Sequence, residues 1–297
     1  MQPAMSQVCC LAASLEDDLH GYADAGVDHV EVWLTKLENY LQSHSVDDLK
    51  TILERRGLSL VAASFQGGLL LSQGDARRET WIQFEQRLQL LSQLQIPTLI
   101  VATDFLGPFS QTDIERAQVS LAQAGQLAAG YNVRLAVEFQ CRGTFINNLE
   151  TAVSLVQSVE QPNVGICLDL FHFTMGPSRT EDLKYLTNQN LFHVQVCDVA
   201  DRPRELAQDS DRIFPGEGDC PIDAVMRHLK AIDYQGAVSL EVMNPQFWSI
   251  PPKQVGEVGI TSVRALLKDK PDLAAGMKVR SAQAQAVPTP PSATTPE

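Results

Sequence analysis

The sequence predicts a single (β/α)8 barrel. Three observations carry that expectation. Eight short β-rich runs recur along the chain, and amphipathic stretches separate them. The rhythm occupies about 265 of the 297 residues, the size of one α/β barrel. Strands that alternate with helices imply parallel pairing. With 44% hydrophobic and 20% charged residues, the chain can bury a sizeable core. A doubly wound open sheet is the main rival fold. It would usually show a glycine-rich phosphate turn after an early strand, and neither G-x-G-x-x-G nor G-x-x-x-x-G-K-[ST] occurs.

The candidate strands are 7–12, 29–34, 59–64, 98–103, 134–139, 164–169, 192–198 and 237–243. The apolar stretch from Val8 to Ala13 reads as the first strand rather than as part of a signal peptide, because no Lys or Arg precedes Lys36. Between strands, Trp81, Phe84, Leu88 and Leu91 fall at helical spacing. Leu149, Val153, Val156 and Val159 form a second stripe, and Ile222, Val225, Met226, Leu229 and Ile232 a third. Pro221 suits the first turn of that last helix. Each stripe reads as core packing. Residues 271–297 hold five prolines, no aromatic residue and much Ala, Gln, Ser and Thr, a composition that predicts a disordered tail. The expected division is a barrel over residues 1–270 and a tail over 271–297.

Several function classes drop out on composition. The formal net charge is −13, unsuited to neutralising phosphates of nucleic acid or to docking on anionic membranes. No apolar run approaches the roughly 18 residues of a membrane span. Six cysteines occur, none in a C-x-x-C pair and most inside apolar runs, as in reduced proteins of the cytosol. A cytoplasmic location is therefore expected.

Active sites of such barrels lie at the C-terminal ends of the strands. Four candidate strand ends carry reactive side chains: Glu138, Asp169, then the run His193-Val194-Gln195-Val196-Cys197-Asp198, and Glu241. Period-two alternation groups Ala136 with Glu138, Gly165 and Cys167 with Asp169, His193 with Gln195, and Ala237 and Ser239 with Glu241. Each set joins small residues to a polar tip, which leaves room for a ligand. A carboxylate among apolar neighbours is costly unless paired or bound to a cation. Two glutamates, one aspartate and an amide or imidazole suit a divalent cation, with Mn²⁺ or Mg²⁺ favoured over Co²⁺ or Zn²⁺. The alternative is a set of barrel-end ion pairs with Arg142, Arg202 or Arg212.

At these motifs the sequence resembles the xylose isomerase-like TIM barrels. That group holds sugar-phosphate isomerases and epimerases, hydroxypyruvate isomerase, ketose 3-epimerases, inosose and 3-dehydroshikimate dehydratases, and abasic-site endonucleases. The matching segments are Ala-Val-Glu-Phe at 136–139, Leu-Asp-Leu-Phe-His-Phe at 168–173, His-Val-Gln-Val-Cys-Asp at 193–198, Pro-Gly-Glu-Gly-Asp at 215–219 and Ser-Leu-Glu-Val at 239–242. Asp-His-Val-Glu-Val at 28–32 also matches, with Glu31 where many members carry a glutamate on their first strand. The resemblance implies one divalent ion held by Glu138, Asp169, Gln195 and Glu241. Gln195 lies 26 positions beyond Asp169, the separation expected in the family, whereas His193 lies 24 beyond it. It also implies substrate contacts from His172, His193 and Glu31, and from Arg202 or Arg212, whose guanidinium groups suit a carboxylate or phosphate.

Two departures narrow the choice. The endonucleases need histidines near 64–66 and 102–104, and neither segment has one; their Asp-Arg-His reads Asp211-Arg212-Ile213 here. Ketose 3-epimerases carry another glutamate six residues past the strand-five glutamate, where this chain has Thr144. The expected activity is metal-dependent isomerisation or epimerisation of a small sugar, sugar phosphate or hydroxycarbonyl acid, with Glu138 and Glu241 exchanging a proton α to a carbonyl. The rivals are a dehydratase and a non-catalytic sugar- or metal-binding module. The expected partner is a small sugar-like molecule, and self-association into a homo-oligomer stays open.

Overall fold

The computed structural model describes residues 1–268. Parallel strands β1 (Gln2–Ser6), β2 (His29–Trp33), β3 (Ser59–Gln66), β4 (Thr98–Ala102), β5 (Arg134–Glu138), β6 (Val164–Asp169), β7 (Leu191–Val196) and β8 (Ala237–Leu240) close into a barrel in sequence order. Closure comes from β1 pairing with β8, Gln2 opposite Ala237. The expected barrel is therefore what forms. The tail expected over 271–297 lies outside the described residues. No helix among the described residues is long and apolar enough to cross a membrane.

The first strand is a correction. It spans Gln2–Ser6, and most of the stretch assigned to it, Gln7–Cys10, is a 3₁₀ turn. Val8, Cys9 and Cys10 are buried as expected, but they pack over the barrel end instead of joining the sheet. A short apolar run signals burial without signalling strand. Lys36 fastens this turn, its Nζ donating to Cys10 O at 2.7 Å and to Asp18 Oδ2 at 2.5 Å. Burial, opposed by Lys36, pushes the Asp18 carboxyl up to about 7.

The helices form the outer ring. They are α1 (Leu15–Asp24), α2 (Leu34–Tyr40), α3 (Val46–Arg56), α4 (Gly74–Gln93), α5 (Gln111–Ala129), α6 (Leu149–Ser158), α7 (Leu170–Met175), α8 (Ile222–Ala231) and α9 (Pro252–Leu267). Local chemistry sets their ends. Ser45 with Asp48, and Ser110 with Asp113, make reciprocal capping boxes at the starts of α3 and α5. Gly57 ends α3 at φ 66°, a left-handed turn that a side chain would strain. The three predicted stripes become the buried faces of α4, α6 and α8, and Pro221 stands immediately before α8.

One apolar core lies between the sheet and the helices, and a smaller one fills the barrel: Ala62, Ile100, Ala136, Cys167 and Phe192. Simple alternation with His193 would turn Phe192 outward. Instead β7 slips register against β6, where Ile166 faces Leu191 but Cys167 faces His193, so Phe192 enters the interior. Gly165 leaves it room. A Cβ there would lie 2.7 Å from both the Phe192 ring and Asn190 O. Gly165→Ala is expected to lower stability by about 1–3 kcal/mol in urea unfolding through overpacking. Gly107→Ala, at a position with nothing within 4 Å, should be near neutral. Equal midpoints for the two variants would refute this account of the interior.

Candidate active site at the barrel mouth

The carboxyl ends of β5 to β8 bring the predicted residues together. Glu138 and Asp169 are the last residues of β5 and β6, Gln195 is next to last in β7, and Glu241 follows β8. Register puts Asp169 opposite Gln195, and Gln195 opposite Ser239. All four side chains are buried. Ligand atoms of Glu138, Asp169 and His172 lie within 4.8 Å of one another. Asp169 also caps α7, with Oδ1 accepting from the backbone N–H of Phe171 at 2.5 Å and of His172 at 3.2 Å. That cap explains why His172 stands three residues on: the first turn of α7 carries it back over the mouth.

A polar layer supports these groups from below. Glu31 is fully buried in β2, the second strand, and not in the first as the resemblance had it. Its Oε2 lies 2.7 Å from His193 Nε2, and its Oε1 accepts from Ser6 Oγ at 3.1 Å and from Gln195 Nε2 at 3.1 Å. Glu31 and His193, both expected to touch substrate, are thus engaged with each other. The same Gln195 amide nitrogen donates to Glu241 Oε1 at 2.9 Å, while Gln195 Oε1 accepts from Cys167 Sγ at 3.1 Å. Ligation by Gln195 would require its oxygen where its nitrogen now stands, an exchange of the two amide ends.

The two arginines separate. Arg202 is exposed at the outgoing side of the loop after β7 and pairs with Asp211 at 3.1 Å, so it does not reach the site. Arg212, on the returning side, is brought over the barrel by an antiparallel bridge between Asp198 and Ile213. Its Nη1 donates to Asp169 Oδ2 at 2.8 Å and to Glu241 Oε2 at 2.9 Å. Its Nε and Nη2 donate to Asp209 Oδ1 at 3.0 and 2.7 Å. The guanidinium carbon lies 4.4 Å over the Phe171 ring. The alternative of barrel-end ion pairs therefore holds for Arg212.

Electrostatics divide the carboxyls. Burial, reinforced by Asp169, pushes Glu138 well above the usual carboxylate range. Burial raises Glu241 likewise, against the pull of Arg212. At Asp169 burial is outweighed by Arg212 and His172, and the carboxyl is held down at about 2. Glu31 is also held low, because His193 and the hydroxyls of Ser64 and Ser239 outweigh its burial. Burial, aided by Arg212 and opposed by Asp169, keeps the His172 imidazole below its ordinary range.

Sequence reasoning missed several participants. Gln140 donates to Glu138 Oε2 at 2.6 Å, and its place two residues on, on the same face, was a usable signal. Asp209 had none, since it acts only because a 3₁₀ turn at Asp209–Asp211 sets it beside Arg212. Asp198 was noted only as part of a motif. Its Oδ1 accepts from the N–H groups of Val199 and Cys220, and its Oδ2 from those of Gly216 and Gly218, at 2.9–3.0 Å. Above the polar floor opens a cavity of about 380 Å³. Glu138, Glu241, His172 and Arg212 are among the residues that line it, together with the exposed apolar side chains of Phe65 and Leu106.

The donor set suits a hard divalent cation. Of the three buried strand-end carboxylates, Asp169 and Glu241 share Arg212, and Glu138 has no cationic partner at hydrogen-bonding distance among the described residues.

A family model described as xylose isomerase-like TIM barrel matches residues 20–266. An inosose isomerase of Halalkalibacterium halodurans is 27% identical over 250 residues, which cover 82% of this chain and 87% of that protein. A 3-dehydroshikimate dehydratase of Pseudomonas aeruginosa is 27% identical over 270 residues, 89% of this chain but 41% of that protein. Among solved structures, the IOLI protein with a bound zinc atom has a TM-score of 0.85 at 24% identity, covering 90% of this chain and 98% of that one.

Asp198 gives this subsection its test. Asp198→Ala strands four backbone donors and should cost about 1–3 kcal/mol, with faster hydrogen exchange at 213–220. Unchanged exchange in that segment would show that the loop is held by other means.

Proposed function

This chain belongs to the xylose isomerase-like TIM barrel family, and from that premise we propose that it is a metal-dependent isomerase or epimerase of a small, neutral, polyhydroxylated carbonyl compound. The observation that carries this reading is the convergence of buried carboxyls on one cavity. Glu138 and Glu241 both line it, and ligand atoms of Glu138, Asp169 and His172 lie within 4.8 Å of one another. Two carboxyls on one cavity allow one to act as base while the other acts as acid, as reversible proton transfer at carbon requires.

Glu138, Asp169, Gln195 and Glu241 are the residues that would hold a divalent ion. Such an ion, Mn²⁺ or Mg²⁺ by the oxygen-rich donor set, would polarise a carbonyl and acidify the neighbouring C–H. The remaining work falls to side chains. Glu138, oriented by Gln140, and Glu241, oriented by Gln195, both line the cavity. One removes the α-proton and the other returns it at the adjacent carbon or the opposite face. His172 meets substrate oxygens from the first turn of α7. Asp169, ionised and capping that turn, keeps its geometry while the glutamates change charge.

The substrate class follows from charge. Four carboxyl groups (Asp104, Glu138, Asp209 and Glu241) and two guanidinium groups (Arg142 and Arg212) line the cavity. Arg212 is committed to three carboxylates, and Arg142 donates to the carbonyls of Glu205 and Ala207. Neither guanidinium is free, so a phosphate has no dedicated cationic partner among the residues that line the cavity. This favours neutral hydroxyketones, such as inososes or ketoses, over sugar phosphates and hydroxy acids. A dehydratase is the second reading, favoured by the similarity to the Pseudomonas aeruginosa enzyme along 89% of this chain. It shares the first proton abstraction and then expels a β-hydroxyl.

The shared step is measurable without knowing the product. The metal-loaded protein is incubated in D₂O with inosose, free ketoses, ketose phosphates, hydroxypyruvate and 3-dehydroshikimate, and each is followed by NMR. Deuterium uptake or isomer formation is expected in at least one neutral compound, with phosphates poorer. Glu138→Gln and Glu241→Gln should each reduce turnover by about 10²–10⁴-fold. An enone or aromatic product would move the assignment to dehydratase. Silence across the panel with metal bound and the fold intact would favour a binding module over both enzymes.

A further inference from the structure

Arg212 occupies a position that the proposed chemistry does not by itself explain. Its Nη1 stands between Asp169 Oδ2 and Glu241 Oε2, at 2.8 and 2.9 Å. Both oxygens belong to residues that would hold the ion. The other oxygens of these two residues are engaged as well: Asp169 Oδ1 by backbone N–H groups of α7, and Glu241 Oε1 by the Gln195 amide. The guanidinium is fixed from outside by Asp209, whose Oδ1 takes Nε and Nη2, and by the Phe171 ring beneath it. Its side chain is 2% exposed, so little water shields its charge. A metal bound to Asp169 and Glu241 would share those oxygens with a unit positive charge about 3 Å from each, and the two cations would repel one another with little water between them.

We propose that Arg212 is an internal counter-cation that stands in for the metal's charge in the metal-free protein and competes with the metal for Asp169 and Glu241. This rests on the metal reading given above and goes beyond it in two ways. The barrel mouth keeps its folded arrangement without metal, because the guanidinium already bridges strands β6 and β8. The ion is held more weakly than its donor set alone would hold it, as an exchangeable rather than a permanently resident partner.

The test titrates metal-stripped protein with Mn²⁺ by calorimetry and records thermal unfolding of the metal-free and loaded forms. Arg212→Met is expected to bind Mn²⁺ about tenfold tighter or more, the scale set by removing one buried unit charge beside the ligands. Its metal-free form should melt lower than wild type, and Mn²⁺ should raise its melting temperature by more than it raises that of wild type. Arg212→Lys, which keeps the charge, should stay close to wild type in affinity. If Arg212→Met does not fold, Arg212→Gln, which keeps donors without charge, carries the same expectation. Weaker or unchanged Mn²⁺ binding in the folded neutral variant, with normal binding in wild type, overturns the competition while leaving the metal site standing. Absence of Mn²⁺ binding in both proteins overturns the metal reading together with this proposal.

Discussion

Glu31, Glu138, Asp169 and Glu241 are all buried at one end of the barrel, where an unpartnered ionised carboxylate costs several kcal/mol. Within the described structure, Arg212 and His193 are the basic side chains that hydrogen-bond to them. Much of the surrounding architecture answers that imbalance. Glu31 and His193 settle against each other in the barrel interior. Asp169 lies across the start of a helix and beneath a guanidinium. Glu138, which has no such partner, and Glu241, which shares Arg212 with Asp169, are the two whose burial is least compensated, and both line the cavity where chemistry can occur.

Much of this was legible from residue order, for a physical reason. A parallel strand covered on both faces must be apolar, so a polar side chain at its carboxyl end stands out against its neighbours, and four such ends, three with a carboxylate and one with Gln195, were visible in β5 to β8. Amphipathic stripes were equally clear in α4, α6 and α8, because a helix buried along one side leaves a period in the sequence. What could not be read depended on non-local geometry. The run from Val8 to Cys10 is buried but not extended, and only its position above the closed barrel explains that. Arg202 and Arg212 are alike in the sequence, and only the path of the loop decides which returns over the axis. Phe192 enters the interior through a register slip that alternation does not encode.

The support beneath the mouth also changes the meaning of residues expected to meet substrate. His193 and Glu31 form a closed pair one layer down, joined to the mouth through the Gln195 amide, whose nitrogen touches Glu31 and Glu241 together. A substitution in that layer would therefore act on the chemistry through orientation rather than contact. Its effect would depend on how far the amide turns, since the amide's two ends differ in whether they can donate or accept.

The gathering of four backbone amides by Asp198 has a consequence for how such a protein could diversify. That carboxylate, with the bridge to Ile213, closes the base of the loop after β7 through backbone contacts. The residues between, including the exposed Arg202 and Leu206, hang from a fixed clasp. Asp209 and Arg212 apart, which reach the site, these residues could serve as an exchangeable cassette. Insertions and substitutions there can remodel what overhangs the cavity while the strand ends below remain in register. New substrate preferences could thus be sampled in one segment without renegotiating the catalytic floor.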